Sequence, residues 1–170
     1  MNRVEVTVDS EDRLSDAALR AVRAICRFVL DAEQQDRQLL TVLIATPPTS
    51  SHLNQTWRQR DYVANVLSFP GSGAPLTPRS RLCHLGDIAV CPAVAAQEAA
   101  GTDVTPQLRL AHLLVHGVLH LLGYDHIDDP VEARRMEQRE RELLAALPRP
   151  EIQRLLPLFA VGTAGGPSVT

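Results

Sequence analysis

The chain has 170 residues, 45% hydrophobic and 22% charged, which is an ordinary globular composition and excludes a disordered or membrane-embedded protein. A chain of this length fits one domain that can bury a full core without disulfides or a structural metal. The formal net charge of -3 argues against a general attraction to nucleic acid or anionic lipid, but it allows a local basic cleft.

The first part of the chain predicts two strands with a helix between them. Residues 4–8 alternate between apolar and polar, which is typical of a half-buried strand. Ser15 is a suitable N-cap, and apolar residues at helical spacing extend the following helix to about Asp31. The nearly continuous apolar run at residues 39–45 predicts a second strand, covered on both faces.

The middle of the chain predicts two further strands separated by a surface loop. Residues 47–51 are expected to end the preceding strand, and a short helix is expected at about 52–58. Strands are expected at 63–69 and 85–90, separated by a loop rich in Gly, Pro, Ser and Arg at 71–81. Pro92 suits the first turn of the helix that follows the last strand.

Helices dominate the second half. Thr105 and Pro106 form an N-cap and N1 pair, and Gly123 is a natural C′ residue for the helix that they begin. A last, charged helix begins at Asp129 and runs to about Leu147.

We therefore expect one α+β domain over residues 1–150, built on a mixed sheet of about four strands. Pro148 and Pro150 are expected to end the packed region, and residues 151–170 to form a C-terminal extension that is partly disordered. Met1 to Val6 do not resemble a signal peptide and no run could span a bilayer, so a cytoplasmic protein is expected. The three cysteines are odd in number and lack CxxC spacing, as expected of reduced thiols.

The most informative stretch contains three histidines. His116 and His120 are four residues apart and share one helix face, so both can reach a single metal ion. Gly123 lets the chain turn back, and His126 can then supply a third nitrogen. Three protein ligands with an open position for water are the arrangement of a catalytic zinc site, so one Zn²⁺ is expected in a cleft beside this helix.

Other interpretations of these residues stay open. The histidines could be packing residues, and nickel or copper would also accept imidazole ligands. His112, one turn earlier, is expected to support a ligand or to lie in the core. Asp125 could orient a ligand imidazole or shape the turn. Zinc proteases carry a glutamate as general base where this chain has Gly117, which argues against peptide hydrolysis.

Three sequence blocks together resemble the YbeY family of endoribonucleases. Residues 116–126 match its signature H-G-x-L-H-L-x-G-Y-D-H, residues 54–70 match N-x-x-[YW]-R-x-x-D-x-x-T-[DN]-V-L-S-F-P, and residues 85–88 match L-G-D-I. One departure is Ala64, where the family usually has threonine. The resemblance covers most of residues 1–147.

This resemblance implies a zinc-dependent, single-strand-specific endoribonuclease that acts in 16S rRNA 3′-end maturation and ribosome quality control. Its implied partners are rRNA and the small ribosomal subunit. It implies Arg58 and His116 as catalytic residues, with His116, His120 and His126 as the metal ligands. Oligomeric state is not implied.

Two other functions remain open: a ribosome-assembly factor with a structural metal, and a metal hydrolase of a small molecule. A groove flanked by arginines would favour RNA, whereas a closed apolar pocket would favour a small substrate. The residues that could line such a groove, each with a solvated or structural role as the alternative, are Arg60, Asn65, Ser68, Arg79, Arg81 and Asp87.

Overall fold

One mixed sheet forms the centre of the structure. The computed structural model describes residues 1–9, 14–124 and 128–159. Its four strands are β1 (Arg3–Val8), β2 (Gln38–Ile44), β3 (Val66–Pro70) and β4 (Cys83–Val90), in the order β1-β2-β4-β3. β1, β2 and β4 run parallel, and β3 pairs with β4 antiparallel. The expected single α+β domain with a four-stranded mixed sheet is confirmed.

Six α-helices and a short 3-10 helix accompany this sheet within the described ranges. They are α1 (Asp16–Ala32), α2 (Pro47–Arg58), α3 (Pro92–Ala99), α4 (Pro106–Leu121), α5 (Pro130–Ala146), α6 (Arg149–Gln153) and the 3-10 helix (Leu156–Phe159). α4 begins as predicted, because the Thr105 side chain accepts a hydrogen bond from the Leu108 backbone N–H at 3.2 Å. None of the helices in these ranges is long and apolar enough to cross a membrane.

α4 is the central helix and lies unusually close to the sheet. It packs against α1, α3, α5 and the strands β3 and β4. A Cβ at Gly117 would lie 3.1 Å from Ile88 Cδ1 and 3.3 Å from Ser68 Oγ. The Ser68 hydroxyl also donates to the Gly117 carbonyl oxygen at 3.1 Å. Glycine at this position therefore permits the close approach of helix and sheet.

Two expectations about the chain between β2 and β3 were wrong at their boundaries. α2 begins at Pro47, not near His52, because Pro47 and Pro48 occupy the first helical turn, where a missing N–H costs nothing. β3 begins at Val66, three residues later than expected. The chain before β3 bonds to α2, since Ser50 donates to the Ala64 carbonyl and Asn54 to that of Tyr62.

The expectation that β2 is covered on both faces was also wrong. Leu40, Val42 and Ile44 are buried against the main core, but the alternate residues Leu39, Thr41 and Leu43 are only half-buried. The helices α1 and α4 pack against the sheet, and among the described residues Leu43 packs with a small separate cluster that contains Leu67 and Leu53 of α2. The apolar run thus overstated the burial of this strand.

The packed region extends past Pro148 and Pro150, so the expected end of the domain at residue 150 was too early. α6 and the 3-10 helix place Ile152, Leu155 and Leu158 in the core cluster, where they are buried. Proline is tolerated in the first turn of α6, as it is in α2. Residues 160–170 of the expected extension lie outside the described residues.

We predict that Leu155→Ala lowers the free energy of unfolding by about 2–5 kcal/mol, because it leaves a cavity at a fully buried position. The adjacent Leu156, which is 57% exposed, is the matched control, and Leu156→Ala should change that free energy by less than about 0.5 kcal/mol. Urea unfolding of the three proteins measures both values. Equal, small effects would show that the C-terminal segment does not pack on the core.

Candidate metal centre

An open cleft of about 950 Å³ lies between the C-terminal end of α2, the strand β3 and the C-terminal half of α4. Its lining mixes polar and apolar residues, and the polar ones include Arg58, Arg60, Asn65, Ser68, His116 and His120. The structure therefore brings the predicted arginine and two of the three predicted histidines to one cleft.

Two of the three predicted metal ligands, His116 and His120, are described by the structure and are neighbours on α4. The ring centroids of His116 and His120 lie 4.5 Å apart, with the ring planes at 79°. Their four-residue spacing places both on the face of α4 that borders the cleft. The predicted third ligand, His126, lies outside the described residues. Within residues 1–9, 14–124 and 128–159, no three His, Cys, Asp or Glu side chains are grouped closely enough to hold a metal ion.

A buried carboxylate from another helix binds two histidines of α4. Glu140 on α5 is 7% exposed. Its Oε1 lies 2.5 Å from His116 Nδ1, and its Oε2 lies 3.0 Å from His112 Nε2. An ionised carboxylate can only accept hydrogen bonds, so both imidazoles donate to it. His112 is thus joined to His116 through one carboxylate.

These hydrogen bonds determine which ring nitrogens carry protons. Arg109 donates from Nη1 to His112 Nδ1 at 3.1 Å, which makes Nε2 the protonated nitrogen of His112. In the neutral ring of His116, Nδ1 carries the proton that is donated to Glu140, which leaves Nε2 unprotonated. A neutral imidazole of this tautomer is able to bind a metal ion through Nε2, and metal-binding histidines commonly have a carboxylate on the other nitrogen.

The network continues from His112 to the start of β3. Arg109 Nε donates to Glu98 Oε2 at 2.7 Å, and Asn65 donates to Glu98 Oε1 at 2.9 Å. Asn65 also lines the cleft and accepts from the Val66 backbone N–H at the start of β3. A continuous chain of hydrogen bonds thus joins the start of β3 to His116 through α3, α4 and α5.

Glu140 stays ionised in this environment. Burial alone would raise the pKa of its carboxyl, but hydrogen bonds from His112 and His116, and the positive charges that these imidazoles carry when protonated in acid, lower that pKa from 4.5 to about 2. A fixed negative charge is therefore present beside the two histidines at neutral pH.

Sequence reasoning missed Glu140; its candidate for orienting a ligand imidazole was Asp125, with shaping the turn as the alternative, and Asp125 lies outside the described residues. Glu140 stands among many Arg and Glu residues of α5, so its charge alone gave no signal. The available signal was its position: Met136, Glu140 and Leu143 are the buried residues of that helix and recur at helical spacing.

Arg58 lies at the end of α2 and is held by β3. Its Nη2 donates to the Ser68 carbonyl oxygen at 2.7 Å, and the residue is exposed at the cleft. Arg60 is the second arginine among the described lining residues. Arg79 and Arg81, expected at the rim, are not among them, and neither is Asp87.

Tyr124 is fixed where the chain leaves α4. Its hydroxyl donates to Glu33 Oε2 at 2.9 Å, and Arg139 Nε donates to Glu33 Oε1 at 2.6 Å. The Arg135 guanidinium lies 5.5 Å from the centre of the tyrosine ring. Burial, and then the bond and charge of Glu33, raise the pKa of Tyr124, so it remains a donor at neutral pH. This end of α4 is thereby held against α1 and α5.

An α+β domain that brings two histidines and an arginine to one cleft has the layout of a small enzyme. The family model described as Endoribonuclease YbeY matches residues 5–148. The chain therefore belongs to the endoribonuclease YbeY family, which places it among the nucleases.

Similar proteins that carry the name endoribonuclease YbeY support this assignment. The chain is 49% identical over 151 residues to an endoribonuclease YbeY of Halorhodospira halophila. The aligned region covers 89% of this chain and 97% of that protein. It is also 42% identical over 144 residues to an endoribonuclease YbeY of Pseudomonas putida. This alignment covers 82% of this chain and 88% of that protein.

A solved structure confirms the fold. A protein of Thermotoga maritima, determined in solution, superposes with a TM-score of 0.59, covering 98% of this chain and 100% of that chain. The two sequences are 21% identical, so the likeness concerns the fold alone.

We predict a specific loss of stability in acid from Glu140. Its pKa is lower in the folded than in the unfolded chain, so its contribution is complete above pH 4.5 and disappears as the pH falls towards 2. Between pH 5 and pH 3 the metal-free protein should lose about 2 kcal/mol of unfolding free energy that Glu140→Gln does not lose.

Urea unfolding at both pH values measures this difference. Glu137→Gln, at an exposed position of the same helix, is the control and should follow the wild type. A Glu140→Gln protein with the same pH dependence as the wild type would contradict the assignment.

Proposed function

We propose that the protein is a zinc-dependent, single-strand-specific endoribonuclease of 16S rRNA 3′-end maturation and ribosome quality control. Its partners would be rRNA and the small ribosomal subunit, and its location the cytoplasm. The observation that carries the proposal is the pairing of His116 with Glu140 beside His120, on the wall of a cleft that Arg58 also lines. Family membership supports the nuclease reaction.

The donor set fits a zinc ion. His116 and His120 would supply two imidazole nitrogens from one face of α4, and His126 would supply the third. Imidazole is a preferred zinc ligand, and a carboxylate behind it raises its basicity. When bound there, zinc would supply a Lewis acid and lower the pKa of a water molecule to about 7.

The residues around this site suit a phosphodiester substrate. A guanidinium has five N–H donors, so Arg58 can bond to the Ser68 carbonyl and still present donors to a phosphate oxygen. Its bond to β3 would hold the guanidinium in place while the phosphate binds. Arg60 adds a second positive charge at the cleft and would help to offset the negative net charge of the chain.

Two alternatives are weaker on these observations. A small-molecule hydrolase would bury its substrate, whereas this cleft is open and lined by arginines. An assembly factor with a structural metal would need a closed site, usually with four protein ligands, and the proposed set has three.

We predict that His116→Ala and Arg58→Ala each lower the rate of single-stranded RNA cleavage by about a hundredfold or more. The first removes a metal ligand and the second a phosphate contact. Cleavage of a labelled oligonucleotide by purified protein, with and without a metal chelator, measures the rates.

Arg20→Ala is the matched control, because Arg20 is an exposed arginine on α1 and should leave the rate unchanged. Circular dichroism confirms that each variant is folded. Undiminished cleavage by folded His116→Ala protein, or by wild type in chelator, would reject the proposal and indicate a contaminating nuclease.

A further inference from the structure

The two most exposed aromatic side chains of this protein occur close together in the chain. There are one tryptophan, two tyrosines and three phenylalanines. The three phenylalanines and Tyr124 are packed against the core clusters. Trp57 is 67% exposed and Tyr62 is 56% exposed. Exposing two large rings gives up the hydrophobic stabilisation that burial would provide, which suggests that these rings have a partner.

Both exposed rings line the cleft of His116 and His120. Trp57 is in the last turn of α2, and Tyr62 follows in the turn between α2 and β3. Arg58 and Arg60 lie between them in the chain and line the same cleft. Two arginines therefore lie between the two aromatic residues along this side of the cleft.

Hydrogen bonds and a ring contact hold the segment that carries these rings. Asn54 is 1% exposed, and its side chain donates to the Tyr62 carbonyl oxygen at 2.9 Å. Its own carbonyl oxygen accepts from the Arg60 backbone N–H at 3.3 Å. The Trp57 ring is edge-on to Phe69, with centroids 6.3 Å apart. Each aromatic residue is thus anchored on one side while its ring is left accessible.

We propose that Trp57 and Tyr62 form a stacking site for unpaired bases of the RNA substrate and so create the preference for single strands; this rests on the proposed function. Aromatic rings bind bases of any sequence through their faces, while arginines beside them hold the phosphates. In a duplex the base faces are already covered by neighbouring pairs. A strand with unpaired bases can place them on the two rings, and a duplex cannot.

Trp57 reports on this contact directly, because it is the single tryptophan of the chain. Mixing the full, metal-loaded protein with a single-stranded oligoribonucleotide in a stopped-flow instrument should quench its fluorescence before cleavage occurs. A strand of the same length with abasic positions should bind through its phosphates without that quenching. Equal quenching by the abasic strand would overturn the stacking proposal.

Matched substitutions distinguish the contribution of ring stacking to RNA binding from the contribution of apolar surface area. Trp57→Leu and Tyr62→Leu keep an apolar side chain and should each weaken single-strand binding by about fivefold to a hundredfold, with little effect on duplex binding. Trp57→Phe and Tyr62→Phe keep a ring and should remain within about threefold of the wild type. Anisotropy of labelled single-stranded and hairpin oligonucleotides measures the affinities.

The outcomes distinguish this proposal from the proposed function. Leucine variants that bind single strands as well as the phenylalanine variants would overturn the stacking site, leave the nuclease assignment intact and point to a protein partner for the rings. A wild-type protein that neither binds nor cuts RNA would reject the proposed function and this inference with it.

Discussion

The bridge from Glu140 to two histidines of α4 is the interaction on which the candidate site depends. One buried carboxylate accepts from His112 and His116 at once, and Arg109 continues the network towards α3. Burying the charged carboxylate of Glu140 costs free energy because the carboxylate loses its contacts with water. The hydrogen bonds from both imidazoles offset that cost. The same bonds fix the tautomer of His116. One residue therefore joins α4 to α5 and sets the tautomer on which the proposed metal binding depends.

The close approach of α4 to the sheet provides the second constraint. Gly117 lets the helix lie against Ile88, and the Ser68 hydroxyl bonds to its backbone. The carbonyl of the same Ser68 holds Arg58. The packing contact that positions the histidine helix thus also positions the arginine at the cleft. Glycine at this position has a structural reason that is independent of the absent protease glutamate.

The sequence predicted the parts of the structure that depend on local signals. Thr105 and Gly123 marked the two ends of the segment containing α4, because capping is decided within a few residues. Glu140 was not predictable in its role, since it is 24 residues from His116 in the chain and meets it only after α4 and α5 pack. The packing of Leu155 after two prolines was missed for the same reason: its partners are distant in sequence.

The most direct test of this account is the zinc affinity of wild-type, Glu140→Gln and Glu137→Gln proteins, measured by competition with a chromogenic chelator. Loss of the carboxylate behind His116 should weaken zinc binding about 10- to 100-fold, and the exposed control on the same helix should bind like the wild type. Equal zinc affinity of all three proteins would contradict the claim that Glu140 prepares His116 as a metal ligand.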